Sequence, residues 1–278
     1  MIHAHNFWMY PLLTLLGATI GTYGTLIGAG GGILLVPVLL LIYPEESSNK
    51  IASISLAAVF FNSISGTLAY GHMRLIDYRA GRRFAIAAAP GGILGAYAAS
   101  FLPRRAFDLV FGMLVLCLAT FISLRPAPTQ RNPGIHLGET THTLIDFKGT
   151  NYSYSFSNRR GVVLSFGIAC IASMLGMGGG AFYVPVLVYL LHFPLHVATA
   201  TSQLMLMLVS PIFSGAHMIA GNFSPGIFRT LFISAGVVVG AQMGARLSQR
   251  LSGAILIRVL AGGLVLIGLR LVIHAFGK

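Results

Sequence analysis

Gly28-Ala29-Gly30-Gly31-Gly32-Ile33-Leu34-Leu35-Val36-Pro37-Val38-Leu39 returns 148 residues later as Gly176-Met177-Gly178-Gly179-Gly180-Ala181-Phe182-Tyr183-Val184-Pro185-Val186-Leu187. Three consecutive glycines inside apolar sequence break a helix, because each costs about 1 kcal/mol against alanine in a helix interior. Hydrocarbon cannot satisfy the N–H and C=O groups that such a break frees. Irregular backbone at membrane depth therefore persists only where it is buried in protein or lines a polar cavity. Gly-interrupted segments at matching positions of two halves point to a transporter's binding site.

The surrounding composition is that of a membrane protein. Of 278 residues, 55% are hydrophobic and 9% charged, against about 25% charged in soluble domains, and mean hydropathy is +0.81. The length allows about eight segments of the roughly 20 apolar residues needed to cross a bilayer, in a single transmembrane domain, 1–278. The net charge of +12 comes from basic residues between apolar runs, which fits cytoplasmic loops in contact with a lipid bilayer and not a nucleic-acid surface. Cys117 and Cys170 fall in apolar runs and read as packing residues. Met1 to Asn6 carries no Lys or Arg, and no small-residue cleavage site follows, so no cleaved signal peptide is expected.

Apolar blocks run over 8–43, 51–71, 84–102 and 106–124, then 161–191, 197–220, 227–246 and 254–276. Each half has one over-long block followed by three ordinary ones, which divides the chain into repeat one (8–124), a linker (125–160) and repeat two (161–276). Ala52, Ser53 and Leu56 match Ala200, Thr201 and Leu204 at the same offset; with small shifts Ser65-Gly66 matches Ser214-Gly215 and Gly95-Ala96 matches Gly240-Ala241. The expected fold is all-α and polytopic, with two tandem repeats. Each over-long block reads as a V, a helix entering, a glycine turn near mid-membrane and a helix returning, or alternatively as one long tilted, broken helix. A V leaves three crossings per half, and an odd number turns the halves into opposite orientation. In the linker, Thr143 to Phe147 and Tyr152 to Phe156 alternate around Lys148-Gly149-Thr150-Asn151, which predicts a small β-hairpin. Arg125, Arg131, Arg159 and Arg160 flank it and assign the linker to the cytoplasm.

The chemistry available is that of an anion site. Helices beginning after Gly32 and Gly180 offer free N–H groups and the positive end of the helix dipole, so Gly30, Gly31, Gly32, Gly178, Gly179 and Gly180 are candidate substrate-binding residues. Ser55, Asn62 and Ser65 in the first half, and Thr201, Ser202, Gln203, Ser214 and His217 in the second, lie on the helices after the V elements and are candidates to line the same midplane cavity. Valine at Gly31 or Gly179 is expected to fill the space where backbone approaches the anion. No Asp or Glu stands in the middle of an apolar block, which disfavours cation or proton pumping. No P-loop, zinc spacing or nucleophile arrangement is evident; neither an enzyme, a cofactor nor a metal is expected.

The doubled GxGGG-x-x-x-V-P phrase, Ala52-Ser53-Ile54-Ser55-Leu56 against Ala200-Thr201-Ser202-Gln203-Leu204, and the four-block rhythm resemble the sulfite exporter TauE/SafE family of membrane transporters. The resemblance covers about residues 11–124 and 161–276. It implies export of sulfite, a sulfonate or a related small organic anion across the bacterial inner membrane by a multi-pass protein. The second half has Thr201-Ser202 where the first has Ser53-Ile54, so the two halves need not contribute equal hydroxyls. A non-transporting scaffold or a subunit of a membrane enzyme is the alternative. The oligomeric state is left open, a homodimer being one arrangement.

Overall fold

A computed structural model describes residues 9–43, 45–124, 140–219 and 227–276. The readings of Met1 to Asn6 and of Arg125 and Arg131 lie outside these residues.

The chain is predominantly helical. Its order is α1 (Met9–Leu26), α2 (Gly32–Ile42), α3 (Ser48–His72), α4 (Tyr78–Ala99), α5 (Arg104–Leu124), β1 (Thr140–Ile145), β2 (Asn151–Phe156), α6 (Asn158–Met174), α7 (Gly180–Pro185), α8 (Leu195–Ile219), α9 (Ile227–Ser248) and α10 (Gly253–Phe276). Among the described residues, four helical stretches are long and apolar enough to cross a membrane: Lys50–His72, Arg105–Leu124, Leu195–His217 and Phe228–Ser248. Both over-long blocks are split at the glycines, α1 from α2 and α6 from α7. Pro185 ends α7 and hands the chain to a π-helical turn, Val186–Leu190, whereas Pro37 sits inside an unbroken α2. A proline removes one intrahelical donor, and only the second copy responds by widening its turn.

Helix pairing follows the duplication. α1 packs on α9 and α4 on α6, α3 packs on both α8 and α9, α8 on α4, and α5 on α10. Exchanging each helix of the first half with its counterpart in the second reproduces this set. Small residues make the close contacts: a Cβ on Gly240 of α9 would collide with the Ala18 carbonyl of α1, and one on Gly95 of α4 with the Cys170 carbonyl of α6. Helices meet through such seams in lipid, where side-chain hydrophobicity gives no preference for protein over tails. α3 and α8 form the centre, with 72% and 78% of their most apolar windows buried, against 39% and 50% for α5 and α9.

The arms of the first split block open toward the beginning of α9. Tyr10 near the start of α1 stacks on Phe232 at 4.6 Å, and Tyr43 at the end of α2 lies under the Arg229 guanidinium at 4.0 Å. The arms of the second open toward the hairpin: Phe156, just before α6, touches Phe193, just after the π-turn, at 4.8 Å. The predicted hairpin is present as an antiparallel pair in register from Thr140↔Phe156 to Ile145↔Asn151. Asp146 shapes its turn, its Oδ1 accepting from the N–H groups of Lys148 and Thr150, each at 2.8 Å.

Candidate functional site

The two glycine turns share their main backbone bonds, the first adding one from Gly30 N–H to Gly24 O at 3.1 Å. In the first, Gly28 N–H donates to Thr25 O at 3.1 Å and Ala29 N–H to Gly24 O at 2.7 Å; in the second, Gly176 N–H donates to Ser173 O at 3.0 Å and Met177 N–H to Ala172 O at 3.1 Å. The next helix then starts from Gly31 O, which accepts from Leu34 and Leu35, and from Gly179 O, which accepts from Phe182 and Tyr183. Gly31 and Gly179 precede these helices with φ of 82° and 99°, left-handed backbone that side chains other than Gly, Asn or Asp adopt at a cost. The amides of Gly32 and Ile33, and of Gly180 and Ala181, thus head their helices ahead of the first intrahelical bonds.

These turns meet each other. A Cβ on Gly32 would lie 2.5 Å from Met177 O, and one on Gly180 would lie 2.5 Å from Gly28 O. Gly30 and Gly178 both face the same pair, Val59 of α3 and Leu206 of α8. The valine expectation for Gly31 and Gly179 needs correcting: their missing Cβ atoms point back into their own hairpins, toward Ile20 at 3.1 Å and toward Tyr183 at 2.8 Å. Gly32 and Gly180 are the residues that face across the junction.

Polar side chains gather beside the turns. Ser202 Oγ lies 2.7 Å from Gly28 O and 2.9 Å from Thr199 O. Asn62 Nδ2 donates to Thr25 Oγ1 at 2.9 Å, while its Oδ1 is buried with no partner. Gln203, fully buried, has no partner at either Nε2 or Oε1. Its carboxamide packs against Gly66, where a Cβ would stand 3.0 Å from Oε1 and 3.2 Å from the Thr25 methyl. Thr25, Asn62, Gly66 and Gln203 therefore form one cluster between α1, α3 and α8. Ser55 is buried and unpartnered on α3. Each unpaired buried polar group costs about 1–3 kcal/mol, so Gln203 is a poor choice for packing alone.

His217 Nε2 lies 3.0 Å from Ser173 O, and Tyr70 OH donates to Thr25 O at 2.9 Å. Thr25 and Ser173 are themselves 148 residues apart, so each glycine turn has its preceding carbonyl held by a side chain from the long central helix of its own half. The remaining candidates lie elsewhere. Ser65 turns to α9, bonding Val238 O at 2.7 Å and accepting from Gln242 Nε2 at 2.9 Å. Ser214 is half-buried toward the end of α8. Thr201 Oγ1 accepts from the N–H of Asp77 at 3.1 Å.

Thr25, Ser173, Tyr70 and Asp77 complete this arrangement and were not among the sequence candidates. A signal for the first two was present: a hydroxyl residue stands three positions before the first glycine in both phrases. Asp77 carried a signal too, as an N-cap residue ahead of a helix-length apolar block. Its Oδ1 does cap α4, accepting from Arg79 N–H at 3.1 Å and Ala80 N–H at 3.0 Å.

Comparison with known proteins supplies a context for this geometry. The family model described as Sulfite exporter TauE/SafE matches residues 13–271. The chain is similar to the probable membrane transporter protein YunE of Bacillus subtilis, with 30% identity over 95% of this chain and 97% of that protein. It is also similar to the probable membrane transporter protein MJ0441 of Methanocaldococcus jannaschii, with 20% identity over 88% of each. No solved structure matches it.

Proposed function

Because the chain belongs to the sulfite exporter TauE/SafE family of multi-pass membrane transporters, we propose that it exports a small, singly charged sulfur oxyanion, sulfite in its protonated form or a sulfonate, across the inner membrane. The observation that carries the reading is the reciprocal contact of the glycine turns, Gly32 on Met177 O and Gly180 on Gly28 O, with the unpartnered carboxamide of Gln203 one residue beyond Ser202. Two helix starts and several neutral donors would surround an oxyanion without a buried lysine. The lining also favours one charge over two. The idealised cost of taking even a single charge into a medium of low dielectric is of order 20 kcal/mol, it grows with the square of the charge, and no cationic side chain is among the lining residues to offset it.

The same reading makes the halves inverted repeats related by an axis in the membrane plane. Its supports are the exchange symmetry of helix pairing and the two split blocks, whose arms open onto residues at opposite ends of α3. The Glu45-Glu46 connection then faces the periplasm and the His192 to His196 connection, with the hairpin, the cytoplasm. One half rocking on the other would expose the site alternately.

Uptake of labelled sulfite into proteoliposomes tests the function. Saturable flux is expected; absence of flux for sulfite and for methanesulfonate, from protein that is folded, overturns it.

A further inference from the structure

Resting on the transport reading, we propose that the β-hairpin is the gate of the transport path at the His72 end of α3, and that Asp77, His142 and Tyr154 are its latch. The hairpin does not hang free of the helices. Asp77 Oδ2 accepts from Tyr154 OH at 2.7 Å and meets His142 Nδ1 at 2.5 Å. Phe147 N–H donates to Met73 O at 3.3 Å. Phe156 and Tyr154 close on Phe193 at 4.8 and 4.6 Å, and Phe156 on Phe84 at 5.8 Å. Tyr154 and Phe156 are as buried as the helix core, at 2% and 1% exposure.

Asp77 joins this lid to the site. One carboxylate oxygen caps α4 and the other takes the two hairpin side chains, while the Asp77 N–H reaches Thr201 on α8. The next residue, Ser202, holds Gly28 O of the first glycine turn. α4 presses on α8 at the same level: a Cβ on Gly81 would lie 3.2 Å from Thr201 Cγ2 and 2.8 Å from Leu204. Lifting the hairpin frees Asp77 and with it the start of α4 beside Thr201. Burial first, then the nearby Asp77 carboxylate, push the Tyr154 hydroxyl far above the ordinary phenol range, so it remains a donor.

The other end of α3 has a matching closure. Glu46 pairs with Lys50 and, at 3.3 Å, with Arg229, whose guanidinium covers Tyr43. α3 has 25 residues, about 37 Å at 1.5 Å per residue, so the two closures stand a membrane thickness apart. In the form described both are shut, as a rocking mechanism requires between its open states.

The gate is tested with Met73→Cys and Phe147→Cys together in a background lacking Cys117 and Cys170. Bridging them with a short bismaleimide, a link that sulfite does not cleave, should stop sulfite flux, whereas N-ethylmaleimide on the same pair should not. Unchanged flux through fully bridged protein overturns the gate and leaves the transport reading standing; no flux in the unmodified protein overturns the transport reading. Independently, Asp77→Asn and Tyr154→Phe should each speed amide exchange across 140–156 by about tenfold, the effect of one charge-assisted hydrogen bond, with exchange in the middle of α3 and α8 unchanged. Equal hairpin exchange in both variants and in the parent overturns the latch.

Discussion

Gly32 and Met177, from opposite halves of the chain, touch so closely that a single added carbon on Gly32 would lie 2.5 Å from the Met177 carbonyl oxygen. That contact and its counterpart, Gly180 on Gly28 O, fix how near the two turns can come. Alanine at either position must part them, and overpacking of this kind typically costs about 1–3 kcal/mol. Gly32→Ala and Gly180→Ala are expected to lower the melting temperature in detergent and to abolish sulfite flux. Gly262→Ala, whose Cβ would meet nothing within 4 Å, should keep parental flux and melt no lower. Equal flux in Gly32→Ala and Gly262→Ala would show that the junction is not where substrate passes.

Gln203 sets stability against activity. Its two unpartnered polar atoms sit in a fully buried position, so Gln203→Leu should stabilise the protein by about 1 kcal/mol while cutting sulfite flux. Functional sites commonly hold residues that stability alone would remove. Loss of stability in Gln203→Leu, with flux intact, would mean that the carboxamide serves the fold.

At the other end of α3 the pH response has a definite sign. The Glu46 carboxyl is held below its ordinary range, first by the hydrogen bond from Lys50, against partial burial, and then by the charges of Lys50 and Arg229. A lowered carboxyl contributes its stability in full above the ordinary value of about 4.3 and loses it as pH falls through the folded value. The melting temperature should therefore drop as pH falls below about 4.3, and Glu46→Gln should flatten part of that drop. Because Glu46 is partly exposed, 1 M salt should shrink the difference between the two proteins.

Orientation is checked by labelling. Single cysteines at the exposed positions Ser47 and His192, in a background lacking Cys117 and Cys170, are expected to react with an impermeant maleimide from opposite faces of the membrane. Reaction of both from one face would favour parallel halves.

Much of this was legible locally. The glycine phrase announces both breaks because three consecutive glycines together cost a helix about 3 kcal/mol, and the alternation around Lys148-Gly149-Thr150-Asn151 announces the hairpin. What could not be read is pairing over distance. His142 and Tyr154 find Asp77 across 65 and 77 residues, and Arg229 finds Glu46 across 183; nothing in the periodicity of either partner selects the other. Tyr70 and His217 do the same work on their two glycine turns but differ as residue types, so matching letters between the halves hides them. Ser65 stands only about 60° around α3 from Asn62, so spacing alone would join them; its hydroxyl is instead taken by the Val238 carbonyl and Gln242 of α9, partners far along the chain.

The central claim is that an oxyanion binds between the glycine turns beside Gln203. The most direct measurement is the anomalous signal of selenite, a heavier analogue of sulfite, in crystals of the protein. The account predicts a peak within hydrogen-bonding reach of the Gln203 carboxamide and the amides that begin at Gly32 or Gly180. Peaks confined to surface arginines, with none between α3 and α8, would contradict it.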